Sequence, residues 1–365
     1  MKRILIIAGG TGGHIFPALA VAQSMYHSGV DVYWLGSRGG LEERLVPSQF
    51  PMSSISIKAL RGKGPLRKLL MPWQLLRAIF VSYQIIRRLK PEVVLGMGGY
   101  VSGPGGIAAW MARVPLIIHE QNSIAGLTNR LLSKFAKTVL QAFPETFHNK
   151  LNVETTGNPV RQELIATPSP RERFANRQGP LRVLVLGGSQ GARPINQHVI
   201  GALAKYPNKN DIIVWHQTGQ ADYDQVLNAY NTIPVEVKVS PFIEEIAHAY
   251  CWADIVICRA GALTVSEIAT VGVGAIFIPY PYAVDNHQFH NSRYLEQAGA
   301  AIIIMEASLS EQKLIDLFQQ FSHDRNRLLT MAECARHLSQ PKAVEHVVAE
   351  CHKLTINGLS DGVRR

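Results

Sequence analysis

Two short apolar runs, each followed by a cluster of glycines, constrain the fold of this chain more than any other feature. Ile-Leu-Ile-Ile at 4–7 leads into Ala-Gly-Gly-Thr-Gly-Gly-His at 8–14, and Leu-Arg-Val-Leu-Val-Leu at 181–186 leads into Gly-Gly-Ser-Gln-Gly-Ala-Arg at 187–193. Glycine lets a backbone approach a ligand closely, and the N-terminus of the helix that follows favours an anion such as phosphate. The two copies predict two nucleotide-binding domains that face one cleft.

Apolar strand-like runs alternate with helix-like segments along the whole chain, which is typical of parallel α/β sheets. The predicted strands lie at 3–8, 31–35, 92–95, 115–119, 138–141, 181–186, 211–216, 235–239, 254–258 and 275–279. Residues 162–180 are polar and contain prolines, so they predict a linker. We therefore expect an α/β fold of two Rossmann-like domains, one at 1–161 with a C-terminal helix at about 340–365, the other at 162–339.

The composition indicates a globular protein with an anionic partner. Of the 365 residues, 47% are hydrophobic and 18% are charged, and the net charge is +10 at pH 7. This excess suits nucleic acid, a phosphorylated substrate or an acidic membrane surface. Because no nucleic-acid recognition motif is present, we expect no nucleic acid as partner. No apolar run approaches the roughly 20 residues of a membrane span, which predicts a soluble or peripheral protein.

Cysteine and histidine spacing argues against a bound metal. No two cysteines form a Cys-x-x-Cys pair, which disfavours zinc ribbons and redox motifs and favours free thiols in a reducing cytoplasm. His287 and His290 follow Asp285 at a spacing that could hold a metal ion, but no further ligand is spaced to complete the site. We expect no metal and no cofactor.

The glycine loops differ from the common nucleotide-binding motifs. Ile15 stands where Gly-x-Gly-x-x-Gly needs its last glycine, and the second predicted strand ends without an acid for the ribose of NAD. No Gly-x-x-x-x-Gly-Lys-Ser/Thr motif is present. Gly-x-Ser-x-Gly at 187–191 matches the nucleophile elbow of α/β hydrolases. A hydrolase, however, leaves the whole first half of the chain unexplained, and the same serine suits a phosphate-binding turn.

Two titratable residues are candidates for chemistry. His14 lies one residue past the first glycines, where a near-neutral pKa suits a general base or a group that only orients others. Glu267 falls in the first turns of a predicted helix after 258–261. It is either an acid that complements the helix dipole or a carboxylate that accepts two vicinal hydroxyls of a ribose.

Residues 61–90 carry more apolar side chains than one buried helix face needs. One helical stripe consists of Leu69, Trp73, Leu76, Phe80 and Tyr83, and a second consists of Leu75, Ile79, Ile86 and Leu89. Basic residues lie beside both stripes, namely Arg67, Lys68, Arg77, Arg87 and Arg88. The segment is therefore either a wholly buried helix or a surface patch that binds an anionic bilayer.

Five motifs in a fixed order resemble the MurG family of bacterial N-acetylglucosaminyltransferases. They lie at 9–18, 119–122, 157–161, 187–192 and 259–267. The resemblance implies a GT-B fold with parallel sheets facing a central cleft, and the donor UDP-GlcNAc bound mainly by the second domain. It implies the acceptor lipid I, undecaprenyl-diphospho-MurNAc-pentapeptide, at the first domain and lipid II as product. Alternatives are a GT-B enzyme of another pathway and a nucleotide-binding regulator without catalysis.

The resemblance also implies roles for individual residues. Ser189 and Arg161 meet the diphosphate, Ile243 the uracil, Glu267 the ribose and Gln288 the GlcNAc hydroxyls. The turn that flanks the nucleotide contains Ala262, Leu263, Thr264, Val265 and Ser266. The first domain completes the pocket with Thr11, Gly12, Gly13 and Asn122. Two positions depart from the family, since Gly274 stands where relatives usually have proline and His287 where some have glutamine.

The implied chemistry is a single inverting displacement that needs a base and positive charge on the departing UDP. His14 is the candidate base, and Arg161 with two helix N-termini can supply the charge. The implied location is peripheral, on the anionic cytoplasmic face of the inner (plasma) membrane, with cell-wall and division proteins as further partners.

Overall fold

The structure is a computed structural model that describes residues 1–57, 65–148, 152–188 and 191–361, with side chains for all of these except 65–70 and 356–361. The chain forms two compact units. The first is Met1–Arg161 with Gln340–Arg365, and the second is Gln162–Ser339.

Each unit is built on a parallel sheet. The strands of the first unit are β1 (Arg3–Ile7), β2 (Asp31–Ser37), β3 (Met52–Ile55), β4 (Val93–Gly96), β5 (Leu116–Glu120), β6 (Thr138–Gln141) and β7 (Val153–Thr155). Those of the second are β8 (Leu181–Leu186), β9 (Ile212–Gln217), β10 (Glu236–Ser240), β11 (Ile255–Cys258), β12 (Gly274–Phe277) and β13 (Ala301–Ile303). The strand orders are β3-β2-β1-β4-β5-β6-β7 and β10-β9-β8-β11-β12-β13.

Helices connect the strands and cover both faces of each sheet. In the first unit they are α1 (Gly12–His27), α2 (Glu42–Leu45), α3 (Pro65–Leu89), α4 (Ser102–Met111) and α5 (Leu127–Leu132). The second unit has α6 (Gln162–Ile165), α7 (Pro170–Phe174), α8 (Arg193–Lys205), α9 (Tyr223–Tyr230), α10 (Ile246–Trp252), α11 (Ala262–Val271), α12 (His287–Glu296), α13 (Glu311–His323) and α14 (Arg325–His337). The last helix, α15 (Ala343–Asp361), returns to the first unit.

The central strands read as continuous apolar runs because both of their faces are buried. In β1, Ile4 and Ile6 belong to a core shared with α1 and α15, whereas Leu5 and Ile7 belong to a core shared with α3 and α4. Successive strand side chains point to opposite faces, so one strand serves two cores. The prediction of an α/β fold with two Rossmann-like, parallel-sheet domains is confirmed.

All ten predicted strands are present, and their ends differ from the prediction by at most two residues. The sequence analysis missed β3, β7 and β13, which contain four, three and three residues. These strands lie at sheet edges, where a short element needs little apolar sequence.

Residues 162–180, predicted as a linker, contain α6 and α7 and belong to the second unit. Ser169 caps α7 in a reciprocal capping box with Glu172. Arg173 donates to the carbonyls of Val271 and Gly272 at the C-terminus of α11. This stretch is therefore an anchored part of the second unit.

The interpretation of residues 61–90 as a wholly buried helix is wrong. On α3, the exposed fractions of Trp73, Leu76 and Phe80 are 70%, 60% and 60%. Ile85 and Ile86, on the opposite side, are buried in the core. Leu69, Arg67 and Lys68 lie outside the residues whose side chains are described. Within the described residues, none of the helices has the length and hydropathy that a bilayer span requires.

Candidate active site

In each unit, the predicted site residues lie where strands end at the carboxyl edge of the sheet. In the first unit they follow β1, β5 and β7, and in the second the described ones follow β10, β11 and β12. β1 pairs with β4 and β8 pairs with β11, and each pair is where the strand order reverses direction. Ligands of open α/β sheets bind outside the carboxyl ends at such a switch point.

The first glycine loop ends at the N-terminus of α1. Thr11 is the N-cap residue in extended conformation, and Gly12, Gly13 and His14 form the first helical turn. Thr11 Oγ1 lies 3.0 Å from His14 Nδ1. Thr11 is exposed and His14 is half-buried. Gly10 has φ +90°, a left-handed value that favours glycine. This loop therefore brings a polar pair to the edge of the sheet.

A buried carboxylate, Glu42, supports this loop from behind. Glu42 is completely buried, and its Oε2 accepts from the amide of Gly10 at 3.2 Å. Its Oε1 accepts from the amide and hydroxyl of Ser37 at 2.6 and 2.5 Å. Burial acts to raise the pKa of Glu42, but the hydrogen bonds from Ser37 and Gly10 hold it below its usual value. The charged form of the Glu42 carboxylate thus fixes the conformation of the loop.

The loop after β4 packs directly on the first glycine loop. Gly98 and Gly99 have φ +98° and +85°. A Cβ on Gly99 would overlap the carbonyl oxygen of Gly9, so only glycine permits this approach. A Cβ on Gly98 would lie 3.0 Å from His14 Nε2. The two loops therefore form one edge surface that includes His14.

Residues 119–122, at the end of β5, form a hydrogen-bonded cluster in which every side chain has a partner. Glu120 accepts from the amide and Nδ2 of Asn122 at 3.1 Å, and from Nδ2 of Asn129 at 2.8 Å. His119 Nε2 pairs with the carbonyl of Gly157 at 3.0 Å. Burial lowers the pKa of His119 to about 4, so this ring is neutral near pH 7. Asn122 is oriented by Glu120 before any ligand binds.

Arg161 is the last residue before the chain enters the second unit, and it is exposed. Three residues earlier, the buried Asn158 donates to the carbonyl of Gln121 at 3.0 Å. This bond ties the chain that leads to Arg161 to the end of β5.

The second glycine loop precedes α8. The amide of Gly187 donates to the carbonyl of Gln217 at 3.0 Å, which joins the loop to the end of β9. Ser189 lies outside the described residues, so its predicted role stays a prediction. Asn196 on α8 bonds to the buried His216 at 3.1 Å and to Asp222 at 3.2 Å. These buried bonds fix the helix that follows the loop.

The predicted residues 262–267 form the first turns of α11, with Gly261 as N-cap. Glu267 is buried and accepts from the hydroxyl of Tyr250 at 3.1 Å. Val265 is buried and its amide donates to the carbonyl of Gly261. Ser266 donates to the carbonyl of Ala262 at 3.0 Å. The helix N-terminus itself, with Leu263 and Thr264 half-buried, therefore offers its amides to an anion.

Three further residues singled out in the sequence follow β10 and β12. Ile243 is buried, and its amide donates to Gln217 Oε1 at 3.1 Å. Gln288 Oε1 accepts from the amide of Tyr280 at 2.9 Å, which leaves its Nε2 group to donate elsewhere. His287 Nδ1 pairs with the carbonyl of Val284 at 2.8 Å. All three side chains belong to the carboxyl edge of the second sheet.

The sequence analysis assigned no role to several residues that shape these edges: Glu42, Gly98, Glu120, Gln121, Gln217 and Tyr250. The sequence signal for Glu42 is an acidic residue just after Gly39 and Gly40, and its burial cannot be read from the sequence. No local signal marks Tyr250, since its partner lies on another helix. Among the described residues, no group of three or more His, Cys, Asp and Glu side chains is placed to hold a metal ion.

Comparisons with known proteins agree with this architecture. The glycosyltransferase family 28 N-terminal domain matches residues 4–141, and the glycosyltransferase family 28 C-terminal domain matches residues 182–347. The UDP-N-acetylglucosamine–N-acetylmuramyl-(pentapeptide) pyrophosphoryl-undecaprenol N-acetylglucosamine transferase of Coxiella burnetii is 64% identical, over 97% of this chain and 99% of the relative. Its namesake in Marinobacter nauticus is 50% identical, over 96% and 97%. The crystal structure of Acinetobacter baumannii MurG superposes with a TM-score of 0.85 at 41% identity, covering 97% of this chain and all of that chain.

Proposed function

The chain belongs to glycosyltransferase family 28, and from this membership we propose that it transfers N-acetylglucosamine from UDP-GlcNAc to the MurNAc 4-hydroxyl of lipid I. The product is lipid II, the precursor for peptidoglycan synthesis. The observation that carries the proposal is the 64% identity to a relative named for this reaction, across 97% of the chain. An enzyme of another pathway would not retain such identity across both domains.

The second unit is proposed to bind the donor. β8 and β11 are neighbouring strands, and the helices α8 and α11 begin after them at the same edge of the sheet. The N-termini of both helices favour the diphosphate. Glu267 holds the ribose hydroxyls, Gln288 the GlcNAc hydroxyls, and the segment at Ile243 the uracil. Arg161 from the first unit and Ser189 add contacts to the diphosphate.

The first unit is proposed to bind the acceptor through Thr11, Gly12, Gly13, His14 and Asn122. The 4-hydroxyl oxygen attacks C1 of GlcNAc while the bond from C1 to the UDP oxygen breaks, and its electron pair leaves with UDP. The hydroxyl proton moves to His14, the candidate base. One displacement inverts the anomeric centre, so an α-linked donor gives a β-linked product.

The exposed apolar surface of the first unit is proposed to contact the membrane that holds the lipid acceptor. Trp73, Leu76 and Phe80 on α3 are its first part. Trp110 at the end of α4 is 54% exposed, and its ring lies 5.1 Å from that of Phe135. Together they exceed the scattered apolar residues of an ordinary surface.

Basic residues accompany this surface, as expected for contact with an anionic leaflet. The exposed ones on α3 and around α5 are Arg77, Arg87, Arg88, Arg130 and Lys134. We place the protein peripherally on the cytoplasmic face of the inner membrane, where cell-wall and division proteins would be its neighbours.

The test is transfer of radiolabelled GlcNAc from UDP-GlcNAc to a lipid I analogue with a shortened polyprenyl chain. A radiolabelled disaccharide product supports the proposal. Parallel reactions with UDP-glucose and UDP-GalNAc test the donor. Absence of transfer from UDP-GlcNAc, or equal transfer from all three donors, would contradict it.

A further inference from the structure

The side-chain oxygen of Gln121 is the least explained polar group near the first glycine loop. Gln121 directly follows β5 and is only 2% exposed. Its Oε1 has no hydrogen-bond partner among the described residues. Native proteins pair nearly all buried polar atoms, because an unpaired one loses its hydrogen bonds to water without replacement. The position of this oxygen therefore needs a reason.

The orientation of the Gln121 carboxamide is fixed by its nitrogen. Nε2 donates to the carbonyl of Met97 at 2.9 Å and to His119 Nδ1 at 3.1 Å. His119 Nδ1 is an acceptor because its Nε2–H donates to the carbonyl of Gly157 and the buried ring is neutral. A flipped carboxamide would set two acceptor oxygens against each other at Met97. Oε1 must therefore point away from Met97.

Oε1 borders the small space left by the missing side chain of Gly98. An ideal Cβ on Gly98 would lie 3.3 Å from Gln121 Oε1 and 3.0 Å from His14 Nε2. The nearest atom to this position is His14 Cδ2 at 2.5 Å, so the His14 ring already fills part of the space of a side chain, and Gln121 Oε1 borders the same space. A side chain at this position would overlap the His14 ring, and the φ of +98° also favours glycine here.

The two edges of the His14 ring face different surroundings. The Nδ1 edge lies 3.0 Å from the hydroxyl of Thr11, which is exposed. The edge with Cδ2 and Nε2 lies beside Gly98, next to the same position that Gln121 Oε1 borders. An acceptor sugar arriving from solvent meets the Thr11 side of the ring first.

We propose that Gln121 is a positioning residue whose Oε1 accepts a hydrogen bond from Nε2–H of His14 when the imidazole ring turns toward it beside Gly98, so that Nδ1 is the basic atom. This inference rests on the proposed function only for the identity of the proton that Nδ1 receives. That proton comes from the acceptor hydroxyl, whose oxygen uses the released electron pair to attack C1. The resulting imidazolium then donates a charge-assisted hydrogen bond to Oε1.

The other titratable groups of this region already form hydrogen bonds with other residues. The Glu42 carboxylate lies beneath the loop and accepts from Gly10. Glu120 accepts from Asn122 and Asn129. The neutral His119 faces Gln121 Nε2. Gln121 Oε1 is thus the neutral acceptor in this set that lies with His14 Nε2 beside Gly98.

Long-range ¹H–¹⁵N correlation spectra of the full-length protein, labelled at histidine nitrogens, test the tautomer directly. The signals of His14 are assigned by their loss in His14→Asn. We expect neutral His14 to carry its proton on Nε2 in the wild type, and Gln121→Met to abolish this preference and lower the pKa of His14. The matched control is Gln141→Met. Gln141 is also a buried carboxamide at a strand end, but it bonds to Thr155 and Phe147.

Kinetics give a second readout that a merely structural role would not produce. Gln121→Met is expected to reduce kcat about tenfold, equivalent to one hydrogen bond to a charged group. The acidic limb of its pH–rate profile should move to lower pH, while KM for UDP-GlcNAc stays within about twofold. UDP affinity shows whether Gln121→Met is folded. If the variant does not fold, the tautomer of His14 in the wild type decides the inference by itself.

Two results would overturn the inference. One is a wild-type His14 that carries its proton on Nδ1. The other is a His14 titration in Gln121→Met that equals that of Gln141→Met. Both are measured without turnover, so a wild type that transfers no GlcNAc would refute the proposed function and leave this test intact.

Discussion

The hydroxyl of Tyr250 donates a hydrogen bond to Glu267 Oε2 at 3.1 Å, and both side chains are buried. This bond joins α10 to α11 and restricts the rotamer of Glu267. A carboxylate held in place before ligand binding loses little conformational entropy when it accepts hydroxyl groups. Tyr250 thereby prepares Glu267 for its proposed contact with ribose.

Replacing Glu267 should weaken nucleotide binding. Glu267→Ala is expected to reduce the affinity for UDP by roughly 1–3 kcal/mol, because charge-assisted hydrogen bonds to the ribose are lost. Calorimetric titration with UDP and 2′-deoxy-UDP measures the effect. The 2′-deoxy ligand should lose less affinity in the variant than in the wild type. Equal discrimination between the two ligands in both proteins would place Glu267 away from the ribose.

Arg161 should act on the donor diphosphate. Arg161→Ala is expected to raise KM for UDP-GlcNAc at least tenfold, the effect of about 1.5 kcal/mol from a hydrogen bond between charged groups. Arg38→Ala, which removes another exposed arginine of the first unit, is the control. Steady-state kinetics distinguish them. If Arg161→Ala leaves both KM and kcat at control values, Arg161 does not contact the donor.

Glu42 should control the first glycine loop without affecting donor binding. Glu42→Gln replaces an acceptor oxygen by a donor group that faces either Ser37 or Gly10, so the loop and His14 should shift. We expect kcat to fall about tenfold or more while the UDP affinity of the second unit is unchanged. Glu43→Gln is the matched control, because Glu43 is the next residue in the chain and its side chain is exposed. Normal turnover in Glu42→Gln would show that the loop does not depend on this carboxylate.

The sequence predicted the central strands and the glycine loops because their signals are local. β8 is bounded as predicted at 181–186, since six apolar-rich residues end abruptly at glycines. Glu42 and Gln121 gave no comparable signal, because their burial and partners depend on how separate loops pack together. The edge strand β13 was missed for the same reason, since its three residues form a strand only beside β12.

His119 should make the first unit sensitive to acid. Its pKa is lowered from 6.5 to about 4 in the folded protein, so the unfolded chain binds its proton first as the pH falls. The free energy of unfolding is therefore fully retained above pH 6.5 and declines between pH 6.5 and 4. At pH 5 the loss that is due to His119 is about 2 kcal/mol.

Hydrogen exchange of β1 amides measures the opening free energy of this unit at pH 7.5 and pH 5, after correction for the intrinsic exchange rate. The wild type should lose about 2 kcal/mol more than His119→Gln between these two values, because glutamine does not titrate. An equal loss in both proteins would assign the acid sensitivity to other groups.

The exposed side chains of α3 should give membrane binding that salt cannot remove. Basic residues near an anionic leaflet each contribute about 1 kcal/mol, and salt screens this attraction. Inserted apolar side chains add attraction that salt does not weaken. We therefore expect binding to vesicles containing phosphatidylglycerol to fall at high salt without vanishing.

The combined replacement of Trp73, Leu76 and Phe80 by Ser should remove the salt-resistant part of this vesicle binding, whereas Leu227→Ser on α9 should not. Transfer to a short, soluble acceptor should be unchanged in both variants, since the lost contacts involve the bilayer alone. Vesicle flotation of the triple variant at high salt, equal to that of the wild type, would show that another surface contacts the membrane.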